Sequence, residues 1–395
     1  MDILFLAHRA PYPPDRGDKI RGYHILRHLA GQARVHLIAF AEDDADRVVP
    51  SDLAAELASA TIVPRRKSQA RAAIEALATG RPVSLAAFDA AAMRRAVRDL
   101  LGVQPIDAIY GFSGQMAQYL PAGDKRVVMD FVDVDSAKFA GFAKQGAAPM
   151  RWMMRREARL LGAFERDVAA RVDASVFVSN AEAALFRSGG ATGRIVAIEN
   201  GIDAAHYDPA RVTPVDADAP LLLFTGQMDY RPNVEAVCWF AHDVLPLIRA
   251  THPAATFAIV GRAPTAAVRA LAGDHVQVTG AVDDVRPWLA AAAVCVAPLQ
   301  LARGIQNKVL EAMAMARPVV ASPAAAEGID HVGTIRVGAD AQGFAAEVAA
   351  LLDAPAEAAA QGRLARMQVM ARYAWPARLA PLDGLLGLTR RRVAA

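Results

Sequence analysis

A lysine and a glutamate three residues apart, Lys308 and Glu311, are the clearest candidates for chemistry in this sequence. They open an apolar, alanine-rich helical segment that follows the glycine-bearing loop LQLARGIQN (299–307). A helix N-terminus carries about half a positive charge and free backbone amides, which favour an anion such as phosphate. Lys308 adds a full positive charge, while Glu311, one turn further along, suits sugar hydroxyls. The pair therefore predicts a ligand that is both anionic and polyhydroxylic, such as a nucleotide.

The simplest alternative is that Lys308 and Glu311 form an ordinary salt bridge along one helix. An i, i+3 pair of this kind stabilises a helix by only about 0.2–0.5 kcal/mol. That gain would not explain why the pair stands where a buried strand (294–298) and its loop lead into the helix. The ligand-binding hypothesis therefore stands ahead of the salt bridge.

Three carboxylates crowd the end of another buried strand in VVMDFVDVDSAKF (127–139), namely Asp130, Asp133 and Asp135. Such groups repel one another unless they are solvated or have a function. We expect Asp133 to face a ligand as an acid or base, and Asp135 or Ser136 to cap the next helix. Asp133-Val134-Asp135 is formally a metal-binding D-x-D, but metal binding is the weaker interpretation.

Two glycine-bearing loops complete the candidate set. The first strand is followed by HRAPYPPDRGDKIRGYHILRHL (8–29), where Arg16 and Lys19 lie on either side of Gly17. These residues favour a ligand loop over an ordinary βα turn. The first strand of the second half ends at Gly226, in FTGQMDYRPN. No G-x-G-x-x-G occurs there and no G-x-x-x-x-G-K-[ST] anywhere, so a nicotinamide or flavin site is not supported and a P-loop is excluded.

Thirteen short apolar segments alternate with helical patterns and would position these residues. They are 3–8, 35–40, 61–64, 107–112, 126–131, 174–179, 195–200, 221–226, 256–261, 276–280, 294–298, 318–322 and 334–337. Continuous apolar strands between helices predict parallel sheets that are covered on both faces. Ligands of such sheets bind beyond the carboxyl ends of the strands, which is where the candidate residues stand.

Thirteen strands are too many for one open sheet, and the pattern relaxes in the proline- and aspartate-rich stretch 206–220, which reads as a linker. We expect an α/β protein with two doubly wound, Rossmann-like domains that face a central cleft. The first spans 1–205 and the second 206–375, and a C-terminal helix at about 376–395 packs back on the first. Near the end of the first domain, Asn200-Gly201 predicts a tight turn with positive φ.

The composition limits the partners and the compartment. The 395 residues include 44 basic and 41 acidic side chains, a net charge of +3, so nucleic acid is not expected as a partner. Two distant cysteines predict free thiols, and the apolar runs are too short for a signal peptide or a membrane span. We therefore expect a cytoplasmic protein. The basic segment MRWMMRREARLL (150–161) suggests peripheral contact with the inner membrane, with a core-packing helix as the alternative.

Six motifs, in this order, resemble the GT-B glycosyltransferases of family 4, and more narrowly the sugar transferases of bacterial exopolysaccharide and exosortase-type (PEP-CTERM) clusters. They are PPDRGDKIR, DFVDVDS, VSNAEAALF with IVAIENGID, GQMDYRPNVEAVCWF, VTGAVDDVRPWLAAAAVCVAPL and GIQNKVLEAMAMARPVVAS. Each motif alone is weak, but six in order over nearly the whole chain are specific.

The resemblance implies a retaining transfer of sugar from a nucleoside-diphosphate sugar to a glycan or lipid-linked acceptor, with no cofactor and no obligatory metal. By position it implies that Glu311 holds the donor ribose, that Lys308 faces the donor phosphates, and that the backbone of 278–285 contacts the base. The predicted donor-binding residues are Gly17, Asp18, Gly226, Arg231, Arg303, Gly304, Lys308 and Glu311. The predicted acceptor-side residues are Arg16, Asp130 and Asp133, and the predicted catalytic residues are Asp133, Lys308 and Glu311.

Two regions depart from the family pattern. Arg303 stands where the family usually has the first of two glutamates eight residues apart, and Gln227 and Asn233 stand where it commonly has an arginine and a lysine. Arg303 and Arg231 are the expected replacements for the missing cations, because guanidinium pairs well with phosphate. A nucleotide-sugar epimerase of the same fold and a non-catalytic sugar-nucleotide-binding scaffold are the alternatives to a transferase.

Overall fold

The computed structural model of the chain describes residues 1–14, 17–144, 148–302 and 305–388, and these contain thirteen strands and seventeen α-helices. The strands are β1 (Asp2–Ala7), β2 (Arg34–Ala41), β3 (Ser59–Pro64), β4 (Ala108–Phe112), β5 (Arg126–Val132), β6 (Ala174–Phe177), β7 (Ile195–Ala197), β8 (Leu221–Thr225), β9 (Thr256–Val260), β10 (Val276–Gly280), β11 (Val294–Ala297), β12 (Val319–Ala321) and β13 (Arg336–Val337). Each of the thirteen predicted strands is present, which confirms the sequence pattern.

The helices of the first half are α1 (Gly17–Ala30), α2 (Ser51–Glu56), α3 (Gln69–Thr79), α4 (Val83–Ala87), α5 (Ala91–Val103), α6 (Asp135–Phe142), α7 (Ala148–Arg171) and α8 (Asn180–Ser188). Those of the second half are α9 (Arg231–Trp239), α10 (Leu245–Thr251), α11 (Ala266–Arg269), α12 (Arg286–Ala291), α13 (Asn307–Ala314), α14 (Pro323–Ala326), α15 (Ala341–Asp353), α16 (Pro355–Arg372) and α17 (Trp375–Leu386). A π-helical turn, Phe240–Val244, joins α9 to α10.

The first sheet has seven strands in the order β3-β2-β1-β4-β5-β6-β7, and every pairing is parallel. Its central strands are apolar and buried along almost their whole length, as in the run Ile3–Ala7. Burial of this kind requires helices on both faces of the sheet, since each successive side chain points to the opposite face. Apolar clusters around Phe40 and around Phe177 form part of the core.

The second sheet has six parallel strands in the order β10-β9-β8-β11-β12-β13. One apolar cluster, which includes Phe224, Phe257 and Phe344, packs around it. In both sheets the strand order reverses direction beside the first strand, at β1–β4 and at β8–β11. Such a switch point opens a crevice at the carboxyl ends of the strands. The architecture is α/β with two doubly wound Rossmann-like units, as the sequence predicted.

The chain separates into two compact units, 1–200 with 378–395, and 201–377. The predicted divisions lay at 205/206 and at about 375/376, and the predicted linker 206–220 lies inside the second unit. The last described helix, α17, continues from the second unit into the first. There it is held by two ion pairs, Arg378 Nη2 to Glu199 Oε2 (2.9 Å) and His28 Nε2 to Asp383 Oδ1 (2.8 Å).

Candidate functional site

A cavity of about 610 Å³ lies in the second unit, at the carboxyl ends of β8 and β9 and the start of α13. The side chains and backbone of sixteen residues line it. These are Tyr207, Thr225, Gly226, Tyr230, Asn233, Val260, Gly261, Arg262, Ala281, Val282, Val285, Ile305, Gln306, Asn307, Lys308 and Glu311. Apolar residues from 281–285 and Ile305 form part of the lining, and Lys308, Glu311 and Arg262 bring charge. The cavity is large enough for a nucleotide-sized ligand.

Two glycines give the cavity its shape. Gly226 has φ +155°, and a Cβ there would stand 2.8 Å from Asn233 Nδ2 and 3.2 Å from Lys308 Nζ. Gly261 has φ +156°, and a Cβ there would stand 1.6 Å from the Gly226 carbonyl oxygen. A side chain at Gly261 would displace the backbone of Gly226, and one at Gly226 would displace the side-chain amide of Asn233. Gly226 and Gly261 thus keep the floor of the cavity as bare backbone beside Lys308.

Lys308 is held in place from two sides. Its Nζ donates a hydrogen bond to Asn233 Oδ1 (2.6 Å) and lies 3.9 Å from the centroid of the Phe224 ring. Asn233 is itself fixed, because its Nδ2 donates to the Gln227 carbonyl oxygen (2.8 Å). Burial lowers the pKa of the Lys308 ammonium to about 7, although the charge of Glu311 opposes this shift. The site therefore holds a cation that is poorly solvated and would gain from an anionic ligand.

Glu311 lies on the same face of α13, one turn after Lys308. Burial raises the pKa of its carboxyl, against a hydrogen bond from Tyr207 and the charge of Lys308. The Tyr207 hydroxyl is that donor, and burial together with the charge of Glu311 raises the pKa of the phenol. Lys308 and Glu311 are both half-buried at the cavity. Their arrangement places a carboxylate, which can accept hydrogen bonds from hydroxyl groups, beside a cation.

The structure brings only part of the predicted donor set into this cavity. Gly226, Lys308 and Glu311 line it, but Arg231 does not. The role of Arg231 as a replacement cation stays a prediction, because in this structure its side chain points to an exposed partner and not into the cavity. Arg231 is 87% exposed on α9, and its Nε donates to Glu235 Oε1 (2.7 Å) one turn along the same helix. The predicted residues Arg303 and Gly304 lie outside the described residues.

Arg262 is the cation that the sequence analysis missed. It follows β9, lines the cavity, and its Nη2 donates to Gln227 Oε1 (2.9 Å). Tyr207 was missed as well, since it lies in the stretch that the sequence suggested was a linker. A signal for Arg262 was available, because it directly follows the strand-ending Gly261. No local pattern marks Tyr207, which reaches Glu311 only through the fold.

The predicted donor residues Gly17 and Asp18 belong to the first unit, at the start of α1. Asp18 contacts the Arg9 guanidinium and has His8 Nε2 at 3.4 Å from its Oδ2. Burial acts to raise the pKa of this carboxyl, but the His8 hydrogen bond and the Arg9 charge outweigh burial and hold the pKa well below its usual range. Arg16, predicted on the acceptor side, lies outside the described residues.

Asp130 is not available to an acceptor, so its predicted acceptor-side role is wrong. The residue is 0% exposed on β5. Its Oδ2 accepts hydrogen bonds from Arg21 Nε (3.0 Å) and Tyr110 Oη (2.7 Å), and its Oδ1 accepts from the Val132 N–H (2.9 Å). Val132 has φ +69°, which is strained for a β-branched residue. Asp130 therefore stabilises the strained end of β5 that leads to Asp133.

Asp133 and Asp135 share one cation. Lys138 Nζ lies 2.7 Å from Asp133 Oδ2 and 3.2 Å from Asp135 Oδ1. The Asp133 side chain is 32% exposed, so it can meet a ligand of the first unit. The predicted cap at Asp135 or Ser136 is wrong, because Asp135 is the first residue of α6 and Val134 precedes it at the cap. Gln115 Nε2 donates to the other Asp135 oxygen (3.2 Å).

The part of the chain that the structure describes holds neither a cluster of metal ligands nor a membrane-spanning helix. No group of three or more histidine, cysteine, aspartate or glutamate side chains stands close enough to hold a metal ion. None of the described helices is both long and apolar enough to cross a bilayer. Cys238 and Cys295 are free thiols, and burial raises the pKa of Cys295 to about 12.

One family model matches part of the second unit. Residues 219–354 match the model of the family described as Glycosyl transferases group 1. This range contains all the cavity residues except Tyr207. A search of curated proteins finds no match.

Solved structures match over nearly the full chain. Sucrose-phosphate synthase from Thermosynechococcus elongatus is 19% identical, with a TM-score of 0.57 over 97% of this chain and 98% of that one. Anabaena HepE in complex with UDP is 15% identical, with a TM-score of 0.60 over 98% of this chain and 100% of that one. WaaG, a glycosyltransferase involved in lipopolysaccharide biosynthesis, is 17% identical, with a TM-score of 0.57 over 98% and 100%. The chain has the GT-B fold, and its residues 219–354 match the family model of the group 1 glycosyl transferases.

Proposed function

We propose that this protein is a retaining glycosyltransferase that moves a sugar from a nucleoside-diphosphate sugar to a glycan or lipid-linked acceptor in exopolysaccharide or cell-surface polysaccharide synthesis. The observation that carries the proposal is the cavity of the second unit, where Lys308 and Glu311 stand together at glycine-shaped strand ends. All the residues of this cavity except Tyr207 lie in the segment that matches the group 1 glycosyl transferase model, which supports the proposal.

The donor would bind with its diphosphate on Lys308 and the N-terminus of α13. The helix amides and the ammonium favour negative charge at the same point. Glu311 would accept hydrogen bonds from the ribose hydroxyls, and Ala281, Val282 and Val285 would contact the base. Anabaena HepE, which shares the fold, was solved with UDP and with UDP-glucose. That likeness supports a nucleotide sugar as the class of donor.

In the proposed reaction the bond between sugar C1 and the diphosphate oxygen breaks. The acceptor oxygen forms its bond to C1 on the same face, and the acceptor proton passes to the departing diphosphate. Negative charge then grows on the diphosphate, beside Lys308. A cation fixed by Asn233 and Phe224 stabilises that charge without rearranging, which is the most effective form of electrostatic catalysis. We propose that no metal ion is required for this step.

Asp133 remains our proposed acceptor-side residue, because its carboxylate is partly exposed at the end of β5. Asp133→Asn should lower the rate of transfer far more than donor affinity. Lys138→Gln is the matched control, since it removes the ion-pair partner and leaves the carboxylate. Equal loss of donor affinity in Asp133→Asn would place the residue with the nucleotide instead.

The proposed function is tested by a binding screen followed by product analysis. A thermal-shift panel of UDP, GDP, ADP and their common sugar conjugates should identify the donor, since a ligand at 100 times its dissociation constant stabilises the protein by about 2.7 kcal/mol. The donor is then incubated with and without lipid-linked and glycan acceptors. We expect a product only with acceptor, and NMR should show the donor's anomeric configuration in it.

The other outcomes of this experiment each contradict the proposal. A changed sugar in the donor alone would indicate an epimerase. Inversion at C1 would refute the retaining course. Donor binding without turnover on any acceptor would favour a non-catalytic, sugar-nucleotide-binding scaffold.

A further inference from the structure

Arg366, on α16 of the second unit, joins two of the elements that form the cavity. Its Nη1 donates to the Tyr207 carbonyl oxygen (2.7 Å) and also to the carbonyl oxygen of Ala314, the last residue of α13. Its Nη2 lies 3.4 Å from Asp208 Oδ1, and the side chain is only 22% exposed. Arg366 is not among the cavity residues, and both Arg366 and Tyr207 lie outside the segment that matches the family model.

The contact with Ala314 caps α13, the helix that forms one wall of the cavity. In its last turn, the carbonyls of 311–313 accept from the backbone N–H groups that follow, whereas the Ala314 carbonyl accepts from Arg366. A cation at a helix C-terminus also interacts favourably with the helix dipole. α16 packs closely against this end of α13, since a Cβ on Gly362 would stand 2.1 Å from the Ala316 carbonyl oxygen. Arg366 is therefore fixed relative to α13.

The contact with Tyr207 holds a turn that local bonds close but do not attach to the rest of the unit. The amides of 205–207 donate to the side chain and the carbonyl of Asp203, four residues back at most. Two arginines from distant parts of the chain then bind the outward carbonyls of this turn. Arg366 binds that of Tyr207, and Arg286 Nη1 donates to that of His206 (3.1 Å).

Tyr207 carries the position of this turn into the cavity. Its hydroxyl donates to Glu311, and this hydrogen bond lowers the pKa of the Glu311 carboxyl. A tyrosine side chain has only two torsions, so the place of its hydroxyl depends closely on its backbone. The carbonyl that Arg366 binds belongs to that same residue. A guanidinium suits this junction, because its planar fork presents five N–H donors in fixed directions, which an ammonium does not.

We propose that Arg366 is a positioning residue for the donor, because it holds Tyr207 where the phenol hydroxyl keeps Glu311 oriented towards the ribose. The inference rests on the proposed function, in which Glu311 accepts hydrogen bonds from the ribose hydroxyls. The alternative is that Arg366 only caps α13. A cap alone would stabilise the second unit, but its removal would not act on ligand affinity through the Tyr207 hydroxyl.

The first test is a double-mutant cycle on the affinity for a nucleoside, namely uridine, guanosine or adenosine, chosen by the diphosphate that the thermal-shift panel identifies. Arg366→Met should weaken nucleoside binding by about twofold to tenfold, the factor expected for Tyr207→Phe, because each variant removes the same hydrogen bond to Glu311. In the Tyr207→Phe background, Arg366→Met should cause no further loss, since residues that act through one contact are not additive. An equal loss in both backgrounds would overturn the proposal.

Arg366→Lys is the conservative variant for the same cycle. It keeps the charge and loses the fork, so it should restore only part of the nucleoside affinity. It also carries the cycle if Arg366→Met does not fold. Calorimetry well below the unfolding temperature of each variant keeps stability out of the comparison. A loss of stability with wild-type nucleoside affinity in either variant would show that Arg366 is only a cap.

The second test needs no ligand, so it distinguishes a failure of this inference from a failure of the proposed function. Hydrogen exchange at the amides of 205–207, followed by mass spectrometry, should be about twofold to tenfold faster in Arg366→Met than in the wild type, because the turn opens more often. Unchanged exchange would overturn the proposal. Faster exchange in a protein that binds neither nucleoside nor diphosphate would contradict the proposed function and leave the hold on Tyr207 intact.

The matched control for both tests is Arg372→Met. It removes the same charge from α16 at a side chain that is 61% exposed and lies 2.9 Å from Asp330 Oδ2. Exchange at 205–207 and nucleoside affinity should both stay at the wild-type level. Changes equal to those of Arg366→Met would mean that any loss of charge from α16 has this effect, and the specific role of Arg366 would be refuted.

Discussion

Arg21 of the first unit and Lys308 of the second are cations with restricted access to water, and their surroundings differ. Arg21, on α1 of the first unit, is 1% exposed and pairs with Asp130, which is 0% exposed. Asn200 Oδ1 accepts from Arg21 Nη1 (2.8 Å) and Tyr110 donates to the same carboxylate. Lys308 of the second unit has one amide oxygen and one aromatic face, and it borders an open cavity.

This difference indicates that Arg21 has a structural role and that Lys308 has a role in ligand binding. A buried ion pair is tolerated when hydrogen bonds satisfy most of its polar atoms. Arg21 Nε and Nη1 donate to Asp130 and Asn200, and Asp130 also accepts from the Val132 N–H at the strained turn. Arg21 Nη2 makes no hydrogen bond but lies 2.9 Å from Asp130 Oδ2. Lys308 has three N–H donors, and Asn233 Oδ1 is the one acceptor that they reach within the described residues. Burial lowers the pKa of Lys308 because these contacts do not fully offset the loss of water around the ammonium. An anion is what would complete it.

The largest expected effect is a loss of stability when the hydrogen-bonded network around Arg21 and Asp130 is broken. Arg21→Met removes the cation and leaves Asp130 buried without its charge partner, so the first unit should lose about 3–5 kcal/mol in free energy of unfolding. Denaturant unfolding followed by a probe in the first unit measures this. Tyr110→Phe removes one neutral donor from the same carboxylate and should cost only about 1–3 kcal/mol. Wild-type stability in Arg21→Met would show that the network is not structural.

At the cavity of the second unit, the main expected effect is on ligand binding. Lys308→Met keeps the length of the side chain and removes a charge-assisted bond of about 1.5–3 kcal/mol, so affinity for the nucleoside diphosphate should fall about tenfold to a hundredfold. The free nucleoside should bind nearly as before, because it has no phosphate to lose. Calorimetry with both ligands makes the comparison.

Arg231→Gln is the control for that experiment, since it removes the same charge from the exposed face of α9. It should leave both affinities unchanged. A loss of diphosphate affinity in Arg231→Gln equal to that in Lys308→Met would contradict this prediction. It would mean either that only net charge matters or that Arg231 contacts the phosphates, as the sequence suggested.

A third prediction concerns pH. The Lys308 pKa of about 7 lies below the ordinary lysine value of 10.5, so in ligand-free protein the ammonium loses its proton as pH rises through 7. Affinity for the diphosphate should fall as pH increases, by up to about tenfold per unit well above the pKa. The unfolded chain keeps the proton up to 10.5, so the second unit should gain stability between pH 7 and 10.5. Lys308→Met should remove both trends, and a flat wild-type profile would contradict the assignment.

The contrast between Arg21 and Lys308 also shows what can and cannot be predicted from the sequence. All strands, both sheets and the placement of Lys308 and Glu311 follow from local patterns, because apolar runs and strand-to-helix junctions are local signals. Asp130 and Asp133 look alike in sequence, three residues apart in one motif. Only the fold shows that Asp130 is buried under Arg21, 109 residues away, while Asp133 is partly exposed. Pairing over such distances leaves no trace in local spacing.

Glycines show the same limit. Asn200-Gly201 predicts a turn with positive φ, but neither residue has positive φ in the structure. A Cβ on Gly201 would stand 2.6 Å from Trp375 Cα, so close packing against a distant helix requires the glycine. Gly226, which its position at a strand end predicts as donor-binding, lines the cavity. Its neighbour in space, Gly261, was not singled out, because their contact joins two strands that the sequence separates.

The smallest expected effect comes from substitution of Tyr207. Comparing its effect on the affinities for nucleoside and nucleoside diphosphate separates the ribose contact from the phosphate contact. Tyr207→Phe removes the hydroxyl that donates to Glu311 and should cost about 0.5–1.5 kcal/mol of binding, roughly twofold to tenfold. Because that hydrogen bond lowers the pKa of Glu311, its loss leaves the carboxylate less able to stay charged for the ribose. The affinities for nucleoside and for nucleoside diphosphate should therefore fall by the same factor, unlike in Lys308→Met.

Tyr230→Phe, at an exposed tyrosine of the same cavity, is the control and should change neither affinity. If Tyr207→Phe weakens only the diphosphate, Glu311 acts on the phosphates, and the division between a ribose carboxylate and a phosphate cation fails.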